Sequence, residues 1–117
     1  MQCSIFLRTP RASGRWILSE TDNVSTVGAH FASNVELPPD ESVEYVLTFP
    51  PELTHAPAPW RVRFYGSVVR VEPRTAGQDT YGVAVQTTKK HRYLSPQESD
   101  GFRTLDEVRA PASTDRT

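Results

Sequence analysis

The stretch WRVRFYGSVVRVEP, residues 60–73, decides the fold of this chain. In its first half, large apolar residues alternate with polar ones, and one predicted face carries Trp60, Val62 and Phe64. The alternation then slips by one residue, so that Val69 and Val71 fall out of phase with the first half. We therefore predict a β-bulge or bend near Gly66 or Val68, because a long strand that curls around a small barrel needs one.

Other segments of the chain show the two-residue period that is typical of strands, and turn signals separate them. They are residues 3–9, 16–22, 26–33, 42–50 and 80–88. In the third of these segments we predict that Val27, Ala29 and Phe31 face inward. The Pro-rich stretch 50–59 is predicted to be a loop, because proline cannot donate to a strand ladder. Six antiparallel strands separated by short turns in this way favour an all-β fold, a small barrel or a sandwich, over βαβ units.

The stretch ETDNVSTVG, residues 20–28, suits a sharp turn between two strands. Asn and Gly tolerate positive φ angles, and Ser forms hydrogen bonds with nearby backbone. The same polar groups would also suit a polar ligand, so both interpretations stay open.

The character of the chain changes after residue 89, where the alternation is lost. Ser95 and Pro96 suit the N-cap and the first turn of a helix, and Gly101 interrupts the pattern soon afterwards. The last residues have the composition of a disordered tail. We therefore predict a barrel domain at 1–94 and a short C-terminal helix or tail at 95–117.

Length and composition limit the possible classes of protein. At 117 residues the chain amounts to one domain, and its formal charge of −1 favours neither a nucleic acid nor a membrane surface as partner. Cys3 is its only cysteine, which excludes an internal disulfide and fits a reducing compartment. The sequence shows no signal peptide and no long apolar segment, so we expect a cytoplasmic protein.

The sequence offers no support for catalysis or for a metal site. His30, His55 and His91 lie in separate segments, without a second ligand at metal-binding spacing. Neither a G-x-S-x-G elbow nor a phosphate-cradling glycine loop occurs. We therefore expect a protein that is not an enzyme and that holds no resident cofactor or metal.

The arginines fall into two groups, one around the first predicted turn and one along the long strand. The groups are Arg8, Arg11 and Arg15, and Arg61, Arg63 and Arg70. Arginine binds phosphate in a bidentate manner and stacks on nucleobases, so either group could form a phosphate site. The competing interpretation is that these charges only keep the outer face of a barrel soluble, and composition favours it. The basic run at 89–92 is open to the same two interpretations.

The order of several motifs is that of a known family. The motifs are NVSTVG at 23–28, SVEYVLTFP at 42–50, GSVVRVEP at 66–73 and YGVAVQ at 81–86. Over residues 3–90 the chain resembles the PilZ domain, a six-stranded bacterial β-barrel whose members commonly bind the second messenger cyclic di-GMP. The family motif of Asn or Asp, any residue, Ser, any two residues and Gly falls on Asn23, Ser25 and Gly28.

The resemblance implies roles for these residues and for two arginines. In ligand-binding members, the Asn or Asp and the Ser meet a guanine edge, and an Arg-x-x-x-Arg motif ahead of the first strand grips the phosphates. RASGR at 11–15 places Arg11 and Arg15 at that spacing, but inside the predicted first hairpin turn. Either the first strand is misassigned and these arginines form the phosphate clamp, or the chain has lost the clamp, which we favour.

Three functions are open on these grounds. The first is a cyclic di-GMP receptor that regulates motility, adhesion or polysaccharide machinery, with the three motif residues and the two arginines as its ligand-binding residues. The second is a degenerate PilZ adaptor that binds no nucleotide and acts through a protein partner. The third is a small barrel that stacks oligonucleotides or sugars on outer aromatics such as Trp16, Tyr65 or Tyr81.

Overall fold

The computed structural model of the chain describes residues 3–10, 14–25, 27–73, 80–89 and 91–104. Strands and two short helices lie within these ranges. In chain order they are β1 (Ser4–Arg8), β2 (Ile17–Ser25), β3 (Gly28–Ser33), β4 (Ser42–Phe49), α1 (Pro51–Thr54), β5 (Trp60–Pro73), β6 (Tyr81–Thr87), β7 (Arg92–Tyr93) and α2 (Pro96–Asp100). β1 to β6 lie where the sequence predicts strands, and the two-residue β7 was not predicted.

The strands β1 to β6 form a closed antiparallel barrel. Neighbouring strands follow the order β4–β1–β2–β3–β6–β5, and pairing between β4 and β5 closes the ring. The 14-residue strand β5 makes this closure possible. Its residues Trp60 to Ser67 pair with β4, and its residues Gly66 to Pro73 pair with β6. The predicted all-β, six-stranded antiparallel barrel with a short C-terminal helix is confirmed.

The predicted bulge is present in β5. The register of β5 against β6 shifts between Val68 and Arg70, which leaves Val69 exposed while Val68 is fully buried. A second shift lies in β2 between Thr21 and Asn23 and was not predicted. Because each bulge adds one unpaired residue, it changes which face the following side chains occupy.

The core fills the inside of the barrel. Its largest fully buried side chains include Tyr45, Phe31, Ile5, Leu7 and Leu47. The Tyr45 ring stacks on Phe64 with 5.1 Å between centroids, and its hydroxyl shares a 2.8 Å hydrogen bond with Thr87 Oγ1. Burial raises the pKa of Tyr45, so this phenol is neutral at physiological pH.

A second cluster covers the outer face of β1 and β4. Phe6 and Val46 pack there against Phe102, which follows α2. Phe102 meets the ring of Phe6 edge-on at 5.5 Å and the ring of Trp16 at 4.9 Å. The chain after residue 94 therefore adds packing to the barrel within its described part, which ends at Thr104. The predicted boundary between 94 and 95 stays a prediction.

The helix α2 begins at the predicted cap. The Ser95 hydroxyl accepts a 3.2 Å hydrogen bond from the backbone N–H of Glu98, and the Glu98 carboxylate accepts one of 3.0 Å from the backbone N–H of Ser95. This reciprocal arrangement is a capping box, and Pro96 occupies the first helical position. The helix ends before Gly101, as the sequence predicts.

Three details differ from the sequence-based expectations. Val27, predicted to face inward, is 67% exposed because it lies in the short turn between β2 and β3. Trp60, predicted to share a face with Val62 and Phe64, is 45% exposed, and it is the first residue of β5. The predicted loop 50–59 contains α1, whose first residue is Pro51, at a position where proline is favoured.

Candidate functional site

Asn23 and Ser25 lie on the outer face of β2. Val24, between them, packs against the core, so its two neighbours point to solvent. Ser25 pairs with Gly28 at the start of β3. The stretch 20–28, predicted as a turn, is therefore mostly strand, and the motif lies at the end of a β-hairpin.

The fold itself requires Gly28. A Cβ at this position would collide with the backbone carbonyl oxygen of Val85 on β6. β3 and β6 approach each other so closely here that only glycine fits. The glycine of the motif therefore has a structural role, and it also leaves the surface beside Ser25 without a side chain.

His30 extends the polar surface around Asn23. The two residues are direct partners across β2 and β3. His30 Nδ1 lies 3.0 Å from a carboxylate oxygen of Asp22, the residue that the bulge in β2 inserts before Asn23. An amide, an imidazole and a carboxylate thus stand together on the outside of the barrel.

The concavity beside these residues is small. A cavity of about 140 Å³ is lined by residues 23–25 and 28–30. The Ser25 hydroxyl at its edge accepts a 3.3 Å hydrogen bond from the backbone N–H of Val27. Pockets that enclose a drug-sized ligand usually measure about 300–1,000 Å³. A nucleotide bound here would therefore lie across the outer surface of the sheet and not inside a pocket.

Of the two arginines of the predicted clamp, the structure describes only Arg15, and it lies away from this surface. Arg11 lies outside the described residues. Arg15 is exposed in the connection between β1 and β2, directly after Gly14, whose φ is +71°. The extended strand from Ile17 to Asn23 spans about 20 Å. Arg15 and Asn23 therefore stand at opposite ends of β2.

The position of β1 bears on the first of the two explanations offered for the arginines. β1 pairs with β2 from Ser4 to Leu7 and with β4 from Ser4 to Arg8, so the first strand is not misassigned. RASGR consequently follows the first strand of the barrel instead of preceding it. The explanation that needs a misassigned first strand therefore fails, and loss of the clamp stays a prediction.

Three other arginines are engaged in the wall of the barrel. Arg8 and Arg63 both contact the carboxylate of Glu44, at 2.6 and 3.0 Å. Arg61 is only 4% exposed and donates a 2.7 Å hydrogen bond to Ser99 Oγ. These guanidinium groups hold β1, β4, β5 and α2 together.

Arg70 is the exception among the described arginines of β5. Its side chain is 65% exposed, and its Nε lies 3.5 Å from a carboxylate oxygen of Glu72. Exposed ion pairs of this kind contribute only about 0–1 kcal/mol. The guanidinium of Arg70 is therefore held more loosely than those in the wall.

In the described part of the basic run after β6, the side chains of Lys89 and Arg92 contact other residues of the protein. Arg92 makes two 3.0 Å hydrogen bonds to the Glu98 carboxylate. These bonds and the one from the Ser95 backbone lower the pKa of Glu98 to about 2. The Lys89 ammonium lies 5.5 Å from the centre of the Tyr65 ring.

A groove of about 560 Å³ opens near the start of β5. Its walls are residues 56–61 on one side and β7, α2 and Arg103 on the other. Trp60 and Tyr93 are 45% and 57% exposed, and their rings meet edge to face at 5.8 Å. The groove was not predicted because its walls come from distant parts of the chain, and its only sequence signal is a tryptophan after a Pro-rich segment.

The aromatics named for base or sugar stacking do not share one outer face. Tyr81 packs against the core. Trp16 packs on Phe102 and lies under the Arg8 guanidinium at 4.3 Å. Only Tyr65 of the three is exposed. This arrangement does not favour a barrel that stacks oligonucleotides or sugars.

The described residues contain no group of three or more His, Cys, Asp or Glu side chains placed to hold a metal ion. None of their helices is long and apolar enough to cross a membrane. A scan against models of known protein families and a search of curated proteins each gave no match. The chemistry of the outer face and of the groove is thus the main guide to function.

Proposed function

We propose that the chain is a PilZ-like module that binds cyclic di-GMP on the outer face of its barrel. The observation that carries the proposal is the pair Asn23 and Ser25, which β2 presents side by side to solvent beside Gly28. These are the residues on which the family motif falls. The closed six-stranded barrel supports the same proposal.

The chemistry of the pair suits a guanine base. The Asn23 amide offers both donors and an acceptor, and the Ser25 hydroxyl offers one donor and two acceptor positions. Guanine carries donors and acceptors on adjacent edges, so an amide and a hydroxyl on one face match it. Because Gly28 has no side chain, a planar base can approach the sheet closely there.

The module acts as a receptor and not as an enzyme in this proposal. Binding of the messenger in the bacterial cytoplasm changes how the module engages motility, adhesion or polysaccharide machinery. The support for this role is the resemblance in motif order together with the barrel that carries the motif.

Isothermal titration with cyclic di-GMP tests the proposal. We expect heat with the wild-type protein and none with the double variant Asn23→Ala, Ser25→Ala. The matched control is Asn34→Ala, Ser42→Ala, which removes the same two exposed side-chain types outside the site and should bind like wild type. Absence of heat with wild type at micromolar concentrations would contradict the proposal, and so would unchanged binding by the Asn23, Ser25 variant.

The second candidate function is a PilZ-like adaptor that binds a protein and no nucleotide. The groove with the exposed pair Trp60 and Tyr93 favours it, because exposed aromatic pairs are common anchors at protein interfaces. An adaptor would give no heat with cyclic di-GMP. It would also bind a specific protein partner, and the Trp60→Ala and Tyr93→Ala variants would not bind that partner.

A further inference from the structure

Four residues form a continuous row across the outside of the barrel. Asn23 on β2 is paired with His30 on β3, His30 with Ala84 on β6, and Ala84 with Arg70 on β5. We call these four residues the outer row. With about 4.8 Å between neighbouring strands, the backbones of its two ends are about 14 Å apart.

The side chains of the outer row point away from the core. The sequence neighbours of His30 and Ala84 are buried, so the strand alternation turns these two residues outward. Asn23 is exposed and the Arg70 side chain is 65% exposed. Between His30 and Arg70, the only side chain of the outer row is the methyl group of Ala84. The row is therefore a shallow floor with polar side chains at both ends.

Both ends of the outer row owe their orientation to a β-bulge. Thr21 is buried, and strict alternation would turn Asn23 inward as well, but the register shift between them turns Asn23 outward. Val68 is buried, and the shift between Val68 and Arg70 turns Arg70 outward in the same way. Bulges that re-aim a side chain are over-represented next to functional sites. Two such bulges at the two ends of one row point to a shared ligand.

Among the arginines that the structure describes, Arg70 is also the one best suited to a phosphate near Asn23. Arg8, Arg61 and Arg63 hold the barrel wall together through Glu44 and Ser99. Arg15 stands at the far end of β2. The loose 3.5 Å contact of Arg70 with Glu72 leaves its planar guanidinium able to turn toward a phosphate and bind it through two parallel hydrogen bonds.

We infer that Arg70 binds the phosphodiester of the cyclic dinucleotide, the role that the resemblance implies for Arg11 and Arg15. The inference rests on the proposed function. One guanine lies beside Asn23 and Ser25, the phosphate-ribose ring crosses the floor at Ala84, and a phosphate meets Arg70.

The test is the affinity of single variants for cyclic di-GMP, measured by isothermal titration. We expect Arg70→Ala to weaken binding by about tenfold or more, because it removes a charge-assisted contact. Arg15→Ala is the matched control, an exposed arginine outside the outer row, and should bind like wild type. Ala84→Leu should also weaken binding, because it places a bulky side chain on the floor. Equal melting temperatures for the variants would show that the fold is unchanged.

The outcomes separate this inference from the proposed function. If wild type binds and Arg70→Ala binds equally well, the inference is overturned while the receptor function stands, whatever the result with Ala84→Leu. If Arg15→Ala is the variant that loses binding, the phosphate contact lies there and the inference is overturned as well. If wild type gives no heat, the proposed function fails and the assignment of Arg70 fails with it.

Discussion

At the scale of single residues, the position of a motif residue in the fold determines whether replacing it can reveal a ligand contact. Asn23 and Ser25 are exposed, so replacing them changes the surface and leaves the core intact. Gly28 is different, because it sits against the backbone of β6. Loss of binding after a change at Gly28 would therefore be no evidence of a ligand contact.

Replacing Gly28 tests this distinction directly. We expect Gly28→Ala to lower the free energy of unfolding by about 1–3 kcal/mol, because its new Cβ would push against the Val85 carbonyl and force two strands apart. Urea denaturation measures the change. Gly101→Ala is the control, since its Cβ would lie 3.5 Å from the nearest atom and its φ of −73° suits alanine. Equal stability of the two variants would contradict the role given to Gly28.

At the scale of elements, the short helix α2 depends on charge at its first turn. The Glu98 carboxylate closes the capping box with Ser95 and binds Arg92, and these contacts lower its pKa from 4.5 to about 2. Because the folded-state pKa is depressed, the contribution of this carboxylate to stability is present above about pH 4.5 and is lost as the pH falls toward 2. α2 is therefore an acid-sensitive element on the barrel.

The variant Glu98→Gln makes this pH dependence measurable. It keeps the shape of the side chain and removes its charge, so we expect it to be less stable than wild type at pH 7. The difference in unfolding free energy between the two proteins should shrink as the pH is lowered from 4.5 toward 2. A difference that stays constant over this range would show that the ionised carboxylate is not what stabilises α2.

At the scale of the whole molecule, the barrel and the residues after it are packed as one body within the described ranges. Phe102 joins Phe6 and Val46 on the outer face of β1 and β4, and Trp16 lies against it. Since β4 and β5 close the ring, no strand of the barrel can leave without breaking two sets of pairings.

We expect one cooperative unfolding transition for this reason. The variant Trp60→Phe leaves Trp16 as the single tryptophan, and its fluorescence reports the contact with Phe102. Denaturation curves followed by this fluorescence and by far-UV circular dichroism, which reports the strands, should coincide. An earlier fluorescence transition would show that the chain after residue 94 leaves the barrel independently.

The sequence predicts those parts of the fold that depend on local pattern. The phase slip in β5 located its bulge, and Ser95 with Pro96 located the start of α2. The bulge in β2 was not predictable, because polar residues flank it. The sequence there has no alternating apolar residues whose phase could change at the bulge. The burial of Arg61 was hidden as well, since Ser99, which covers it, lies far along the chain.

The candidate site shows the same limit. The motif alone identified Asn23 and Ser25, and the structure places them side by side. The sequence spacing does not show which arginine lies in the same row as Asn23, because that depends on the register across β2, β3, β6 and β5. Arg15 is close to Asn23 in sequence and distant in space, whereas Arg70 is distant in sequence and lies in the same row.

The two bulges have a consequence for how this surface can change over generations. In each bulge one extra residue, Asp22 or Val69, lies between two residues that pair with consecutive positions of the neighbouring strand. Deleting Val69 would place Arg70 directly after the inward-facing Val68, so regular alternation would keep Arg70 outward and opposite Ala84. Loss of a single codon at either bulge is therefore a change that the outer row can survive in descendants of this chain.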